Sequence, residues 1–148
     1  QKAIALDGIR DPGNLGTIIR TADWFGVKTI LLSSDCVDPY NPKTIQATMG
    51  SFHHLDVFQG DLKTMIKAVK EKNTDYNVYG ALLNGSEASI IKGSNYPGLL
   101  IIGSESHGIS DTIQDLCTHK LTIAGKGQAE SLNASVAAAI LLASWFED

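Results

Sequence analysis

The 148-residue sequence predicts an α/β fold with one mostly parallel, six-stranded sheet and helices on both of its faces. Three observations carry that prediction. Short aliphatic or β-branched runs alternate with helical patterns along the whole chain; most of the runs lack polar alternation, so they are buried on both sides; and clusters of turn residues separate them. Strands are expected at 2–7 ("KAIALD"), 28–33, 55–58, 77–82, 98–103 and 119–124 ("HKLTIA"). Helices are expected at 14–25, 42–49, 61–72, 110–117 and 131–146, with a short one near 86–92. Asn14 reads as the cap of the first helix, and Asn41 caps the second, with Pro42 at its first helical position. Asn84, Gly85, Ser86 and the stretch 93–95 mark loops, and the chain holds no internal repeat or low-complexity tract.

Composition bounds the function. With 43% hydrophobic residues the chain can bury a proper core as a single domain over 1–148. No apolar run reaches the roughly 18 residues that span a membrane, and no basic-then-apolar leader opens the chain, so a soluble, cytoplasmic protein without a membrane partner is expected. Because it starts at Gln1 rather than Met, it is also expected to be part of a longer protein. Cys36 and Cys117 stand apart and form neither a disulfide framework nor a zinc motif. A net charge of −4 does not advertise a nucleic-acid binder, which places any such contact on local clusters of Arg10, Arg20, Lys43 and Lys126.

Commoner ligand loops are absent. There is no G-x-x-x-x-G-K-[ST] phosphate loop and no G-x-G-x-x-G after the first strand, which disfavours a nucleoside triphosphate or a dinucleotide. His53 and His54 are adjacent, and His107 and His119 lack acidic or cysteine partners at useful offsets, so no metal is expected. Ser131 sits in no G-x-S-x-G elbow and has no histidine at a telling spacing, which argues against a hydrolase.

In a parallel sheet ligands bind beyond the carboxyl ends of the strands, and three such ends carry unusual residues. In "LDGIRDPGNLGTIIRTADWFG" (6–26) a strand ends at Asp7, glycines and Pro12 shape a turn, and Arg20 lies among the apolar stripe of Ile18, Ile19, Ala22 and Phe25. An arginine held there needs an anionic partner. In "LLIIGSESHGIS" (99–110) a buried strand runs into Gly103 and Glu105, a carboxylate that either pairs with a cation or favours the dipole of the helix that follows. In "AGKGQAESLNASVAAAILLASW" (124–145) an apolar helix is preceded by Glu130, Ser131, Asn133 and Ser135, more polar groups than one cap requires, while Val136, Ala137, Ala138, Ile140, Leu141 and Trp145 read as core.

Taken together and in this order, the three segments resemble the motifs of the SpoU (TrmH-like) branch of the SPOUT methyltransferases, and the resemblance covers essentially the whole chain. It departs at Ser104 and Ser106, where Asn and Gly are usual, and at Ala124 and Gly125, where Pro and Met often precede the glycine at 127. The resemblance implies a C-terminal trefoil knot, an exception to the general absence of knots. It implies S-adenosylmethionine as cofactor, held largely by backbone at Ala81, Leu82, Gly85, Gly103, Ile123 and Leu132, and methyl transfer to a ribose 2'-OH of tRNA or rRNA. By matching positions the catalytic set is Arg20, Asn14, Glu105, Ser131 and Asn133, with Glu105 as partner of a desolvated Arg20. The arginine acts either as the base or by stabilising the developing alkoxide. A homodimer is implied as well, for which Trp145, Phe146 and the last helix offer apolar surface, and many relatives add an N-terminal RNA-binding domain. Two other readings stand beside this one: a non-catalytic RNA- or S-adenosylmethionine-binding protein of the same fold, and an unrelated α/β metabolite enzyme.

Overall fold

Non-alternating aliphatic strands can lie only where both faces are covered, and the computed structural model, which describes residues 1–95 and 97–147 without the side chains of Glu87 and Ile90, places them so. The strands are β1 (Lys2–Asp7), β2 (Thr29–Ser33), β3 (Asp56–Gly60), β4 (Asn77–Glu87), β5 (Gly98–Gly103) and β6 (His119–Thr122). They form one sheet in the order β3-β2-β1-β5-β4-β6, with every pairing parallel. The helices are α1 (Pro12–Trp24), α2 (Pro42–Thr48), α3 (Leu62–Lys72), α4 (Asp111–Gln114) and α5 (Ala134–Trp145), with 3-10 turns at Ser51–His54 and Ala88–Ile91.

Successive strand residues feed opposite layers. Ile4, Leu6, Ile30, Leu32, Leu100 and Ile102 join the α1 and α5 side chains Leu15, Ile18, Ile19, Leu141 and Trp145 in one core. Their neighbours Ala3, Ala5, Leu31, Leu99 and Ile101 join Leu62 and Ile66 of α3 and Ile113 of α4 in the other. Strand order reverses between β1 and β5, whose last residues, Asp7 and Gly103, stand opposite each other. That switch point, opened by connections leaving to either side, is where a doubly wound sheet offers a crevice.

Several local expectations change. Helix α1 is capped by Asp11, whose carboxylate accepts the Asn14 N–H at 2.8 Å, so Asn14 lies inside the first turn and is not the cap. Pro12 at the first helical position fits that earlier start. Asn41 caps α2 as expected, accepting from the Lys43 N–H at 2.9 Å. Residues 84–87, expected as loop and helix, belong to β4: Leu121 of β6 pairs with both Ala81 and Ser86, so residues 82–85 leave the ladder and return to it. Gly85 allows the return, because a Cβ there would meet the Lys120 carbonyl group at 2.6 Å. The helix expected over 110–117 is the short α4, and α5 starts at Ala134 rather than at 131.

Helix α5 also divides its apolar residues differently from the expectation of a wholly buried core. Ala138, Leu141, Leu142 and Trp145 are buried, whereas Val136 and Ile140 remain 46% and 41% exposed. Trp145 is fully buried, edge-on to Tyr79 at 5.7 Å, so it belongs to the core and offers no docking surface. Replacing it, Trp145→Ala, should cost about 3–5 kcal/mol in urea denaturation; a loss under about 1 kcal/mol would show that the indole does not hold the last helix.

Candidate functional site

The peptide between β6 and α5 has to travel. Strand β6 lies at the sheet edge beside β4, while α5 packs on α1 and β5, so residues 123–133 cross the carboxyl ends of the intervening strands. Their passage roofs a cleft of about 1060 Å³, walled by residues 81–84 of the β4 excursion, 102–109 after β5 and 121–125 and 129–132 of the crossing segment. Five of the six residues expected at a cofactor site, Ala81, Leu82, Gly103, Ile123 and Leu132, line it. Gly85 is not among the lining residues; its part is the close approach to β6 that sends 82–84 outward.

Gly103 is constrained more tightly than any residue around it. A Cβ there would lie 2.1 Å from the Gly108 carbonyl carbon, since the chain folds back at once through a Ser104–Gly108 bridge. Gly108 itself sits at φ +65°, where L side chains are strained. The small loop so formed is tied by the His107 N–H to Ser104 Oγ at 3.1 Å and by Ser106 Oγ to His107 Nδ1 at 2.8 Å. Buried Asp7, at the end of β1, anchors its far end by accepting the N–H of Ser110, the cap of α4, at 2.8 Å, a contact that sequence pattern alone did not point to.

Glu105, at the tip, joins three elements. Its Oε1 accepts the Ala134 N–H of α5 at 3.1 Å and the Asn14 amide of α1 at 3.5 Å. Asn133 Oδ1 takes the next two N–H groups of α5, Ser135 at 2.9 Å and Val136 at 3.4 Å, and the Ser135 hydroxyl at 2.5 Å. The first three donors of α5 are thereby satisfied by two side chains, one of them from another loop. The glutamate favours a helix dipole as anticipated, but that of α5 rather than of the helix directly after it. Ser131, exposed, lines the cleft.

Arg20 departs from expectation. It is exposed on α1, and the ion pairs among the described residues, Arg10–Asp35, His54–Asp23 and Lys92–Glu147, do not include it. Glu105 therefore pairs with backbone and amide donors and not with a desolvated guanidinium. The exposed residues Gly13, Thr17, Arg20 and Trp24 follow helical spacing, a stripe that the sequence contains and that the apolar neighbours of Arg20 obscured. Next to it, the β1–α1 turn is braced by Ser33 Oγ, which accepts the Gly8 N–H at 2.9 Å and donates to Asp35 at 2.5 Å. That hydroxyl, aided by Arg10, holds the Asp35 carboxyl below its ordinary range. Burial pushes the thiols of Cys36 and Cys117 up, so neither is an activated nucleophile. Among the described residues no cluster of His, Cys, Asp and Glu is arranged to hold a metal, and no helix is long and apolar enough to cross a membrane.

If Glu105 holds α5 in place, Glu105→Ala should open the Ala134 amide. Hydrogen exchange there is expected to rise about fivefold, for a loss of roughly 1 kcal/mol; Glu105→Gln, which keeps an acceptor oxygen, should give a smaller rise. Equal exchange in all three proteins would remove Glu105 from this role.

Comparison with known proteins gives consistent matches. A family profile described as "SpoU rRNA Methylase family" matches residues 1–143. The 23S rRNA (guanosine(2553)-2'-O)-methyltransferase RlmP of Bacillus subtilis is 38% identical over 96% of this chain and 56% of its own length. The structure of an AdoMet-bound rRNA methyltransferase from Sinorhizobium meliloti superposes with a TM-score of 0.89 at 32% identity, covering 98% of this chain and 55% of that one. The SpoU methyltransferase AviRb from Streptomyces viridochromogenes, in complex with AdoMet, gives 0.87 at 28% identity over 97% and 58%. The chain thus spans little more than half the length of these relatives.

Proposed function

This chain belongs to the SpoU rRNA methylase family, and from that premise we propose that it transfers a methyl group from S-adenosylmethionine to a ribose 2'-OH of tRNA or rRNA. The observation that carries the reading is the cleft beyond the carboxyl ends of β4, β5 and β6. Its walls are largely backbone and aliphatic side chains at 81–84, 103 and 123–132, a lining suited to a flat adenine ring and its hydrogen-bonding edge. The same segment, carried across the strand ends, is the one that the reading threads as a trefoil knot. S-adenosylmethionine, when bound, supplies a methyl group already activated by its sulfonium charge.

The residues divide the remaining work. A ribose hydroxyl is a very weak acid, so attack requires the alkoxide character at O2' to be stabilised and the oxygen to be aligned. Because a guanidinium stays protonated in proteins, Arg20 supports the step as a fixed positive charge beside O2' rather than as a base, and the O2' proton passes to water as the carbon–oxygen bond forms and the carbon–sulfur bond breaks. Glu105, through its bonds to Asn14 and Ala134, fixes α1 against the start of α5, which sets where Arg20 stands relative to the cleft. Asn133 fixes the first turn of α5, and Ser131, at the cleft, offers a hydroxyl to the ribose. The exposed face of α5, with Leu132, Val136 and Ile140, together with Trp24 of α1, which is 84% exposed, supports a homodimer built on these helices. Exposed Arg10, Arg20, Lys43 and Lys126 supply local positive charge for RNA on a chain of net charge −4.

Ribose-methylation mapping of total RNA, with and without the gene, would identify the target. On that target Arg20→Ala should lower the rate about 100-fold or more while calorimetry shows unchanged S-adenosylmethionine affinity; a variant keeping most of its activity would refute the assignment. Asn133→Ala should lower affinity and rate together, because the wall of the cleft moves with the helix start. For the dimer, Ile140→Asp should yield monomers in sedimentation, and a sedimentation coefficient unaltered from the parent would rule out this face.

A further inference from the structure

A second, smaller cavity lies away from the cleft. It has a volume of about 370 Å³ and is lined by Tyr40, Ile45, Thr48, Gly50, Phe52 and His53, from the loop before α2, α2 itself and the 3-10 turn after it. Tyr40 is 71% exposed and stands edge-on to Phe52 at 5.1 Å, so one face of an aromatic ring is open to water beside a second ring that supports it. Gly50, at φ +89°, is one of the lining residues, and Met49 before it is the left-handed cap of α2, with its side chain left 70% exposed.

Position gives the cavity its meaning. Gly16 of α1 faces α2, where a Cβ would meet Ala47 Cβ at 2.4 Å, and Asp23 of α1 accepts or shares a proton with His54 of the 3-10 turn at 2.8 Å. Arg20 is one turn from each, on the stripe that runs between them, so it flanks the element that carries the cavity. Lys43, exposed at the start of α2, supplies a further cation.

We infer that this cavity takes one unpaired nucleobase of the RNA substrate, stacked on Tyr40, while Arg20 and Lys43 face the phosphates on either side. An open aromatic face, with Lys43 exposed three residues further along the chain, matches the way proteins bind bases splayed from single strands, in which stacking is combined with backbone neutralisation. The volume of about 370 Å³ leaves room for a single base. Recognition here would let a base elsewhere in the RNA help determine which ribose reaches the cleft. The inference rests on the reading of the chain as an RNA methyltransferase.

The test uses the full-length protein and a fluorescein-labelled 12-nucleotide single-stranded RNA of mixed sequence, with an abasic oligomer of the same length as control. Tyr40→Ala is expected to weaken the base-bearing RNA about tenfold, or about 1.4 kcal/mol in binding. Tyr40→Phe, which keeps the ring, should stay within about twofold of the parent, and the abasic oligomer should bind the parent and Tyr40→Ala equally. S-adenosylmethionine affinity should be the same in all three. If the parent binds both RNA and S-adenosylmethionine but Tyr40→Ala binds base-bearing RNA as tightly, the cavity is not a base site, whatever protein segment it receives instead. If the parent binds neither, the methyltransferase reading itself falls, and this inference with it.

Discussion

Helix α5 packs through Ala138, Leu141, Leu142 and Trp145, and where it begins is fixed by the acceptors found for its first N–H groups. A helix leaves its first donors unpaired, and each one buried without a partner costs roughly 1–3 kcal/mol. Here Asn133 takes two of them and Glu105, reaching from the loop after β5, takes the one before. Glu105 is thus the point at which β5, α1 and α5 are registered against each other. The crossing segment 123–133 ends at that pinned helix start, which ties its last residues beside the loop after β5.

The glycines act in the same direction by permitting approaches that no side chain allows. At Gly103 the returning loop occupies the space a Cβ would need, and at Gly85 the backbone of β6 does. Each forces an adjacent stretch outward: residues 104–107 past β5, and 82–84 out of the ladder between β4 and β6. The two displaced stretches form facing walls. What lines the cleft is therefore mostly main chain that strand pairing has released, which is how a chain without a phosphate loop or a dinucleotide fingerprint still builds a site of this size.

The architecture was legible because a strand buried on both faces needs an uninterrupted aliphatic run, and β1, β2 and β5 have one. Their bounds differ from expectation by a residue or less. The cap of α1 was misread in favour of Asn14, although Pro12 already pointed to Asp11; side-chain preference was weighed above the fixed φ of proline. The β4 excursion was beyond reach. Asn84, Gly85 and Ser86 carry turn chemistry, and only the tertiary approach of Lys120 turns them into strand. Within the candidate site, five of the six residues expected around a cofactor line one cleft, and Gly85 does not. The expected pairing of Arg20 with Glu105 is not formed, and the carboxylate accepts from Ala134 and Asn14 instead.

That failure has a physical consequence for catalysis. A positive charge 4 Å from a developing alkoxide is worth about 1 kcal/mol in bulk water and about 4 kcal/mol at an effective dielectric constant of 20. A 100-fold acceleration requires about 2.7 kcal/mol. Arg20, open to water in the single chain, falls short of that value on its own and exceeds it once water is displaced. The folded chain supplies a shaped cleft but not a dry arginine, so in the proposed reaction the low dielectric has to arrive with whatever covers α1, whether the ribose and phosphates of the RNA or the helices of a second subunit. Where the RNA is that cover, substrate engagement and transition-state stabilisation are one event, and an RNA that leaves this stripe open would be poorly methylated even where its ribose enters the cleft.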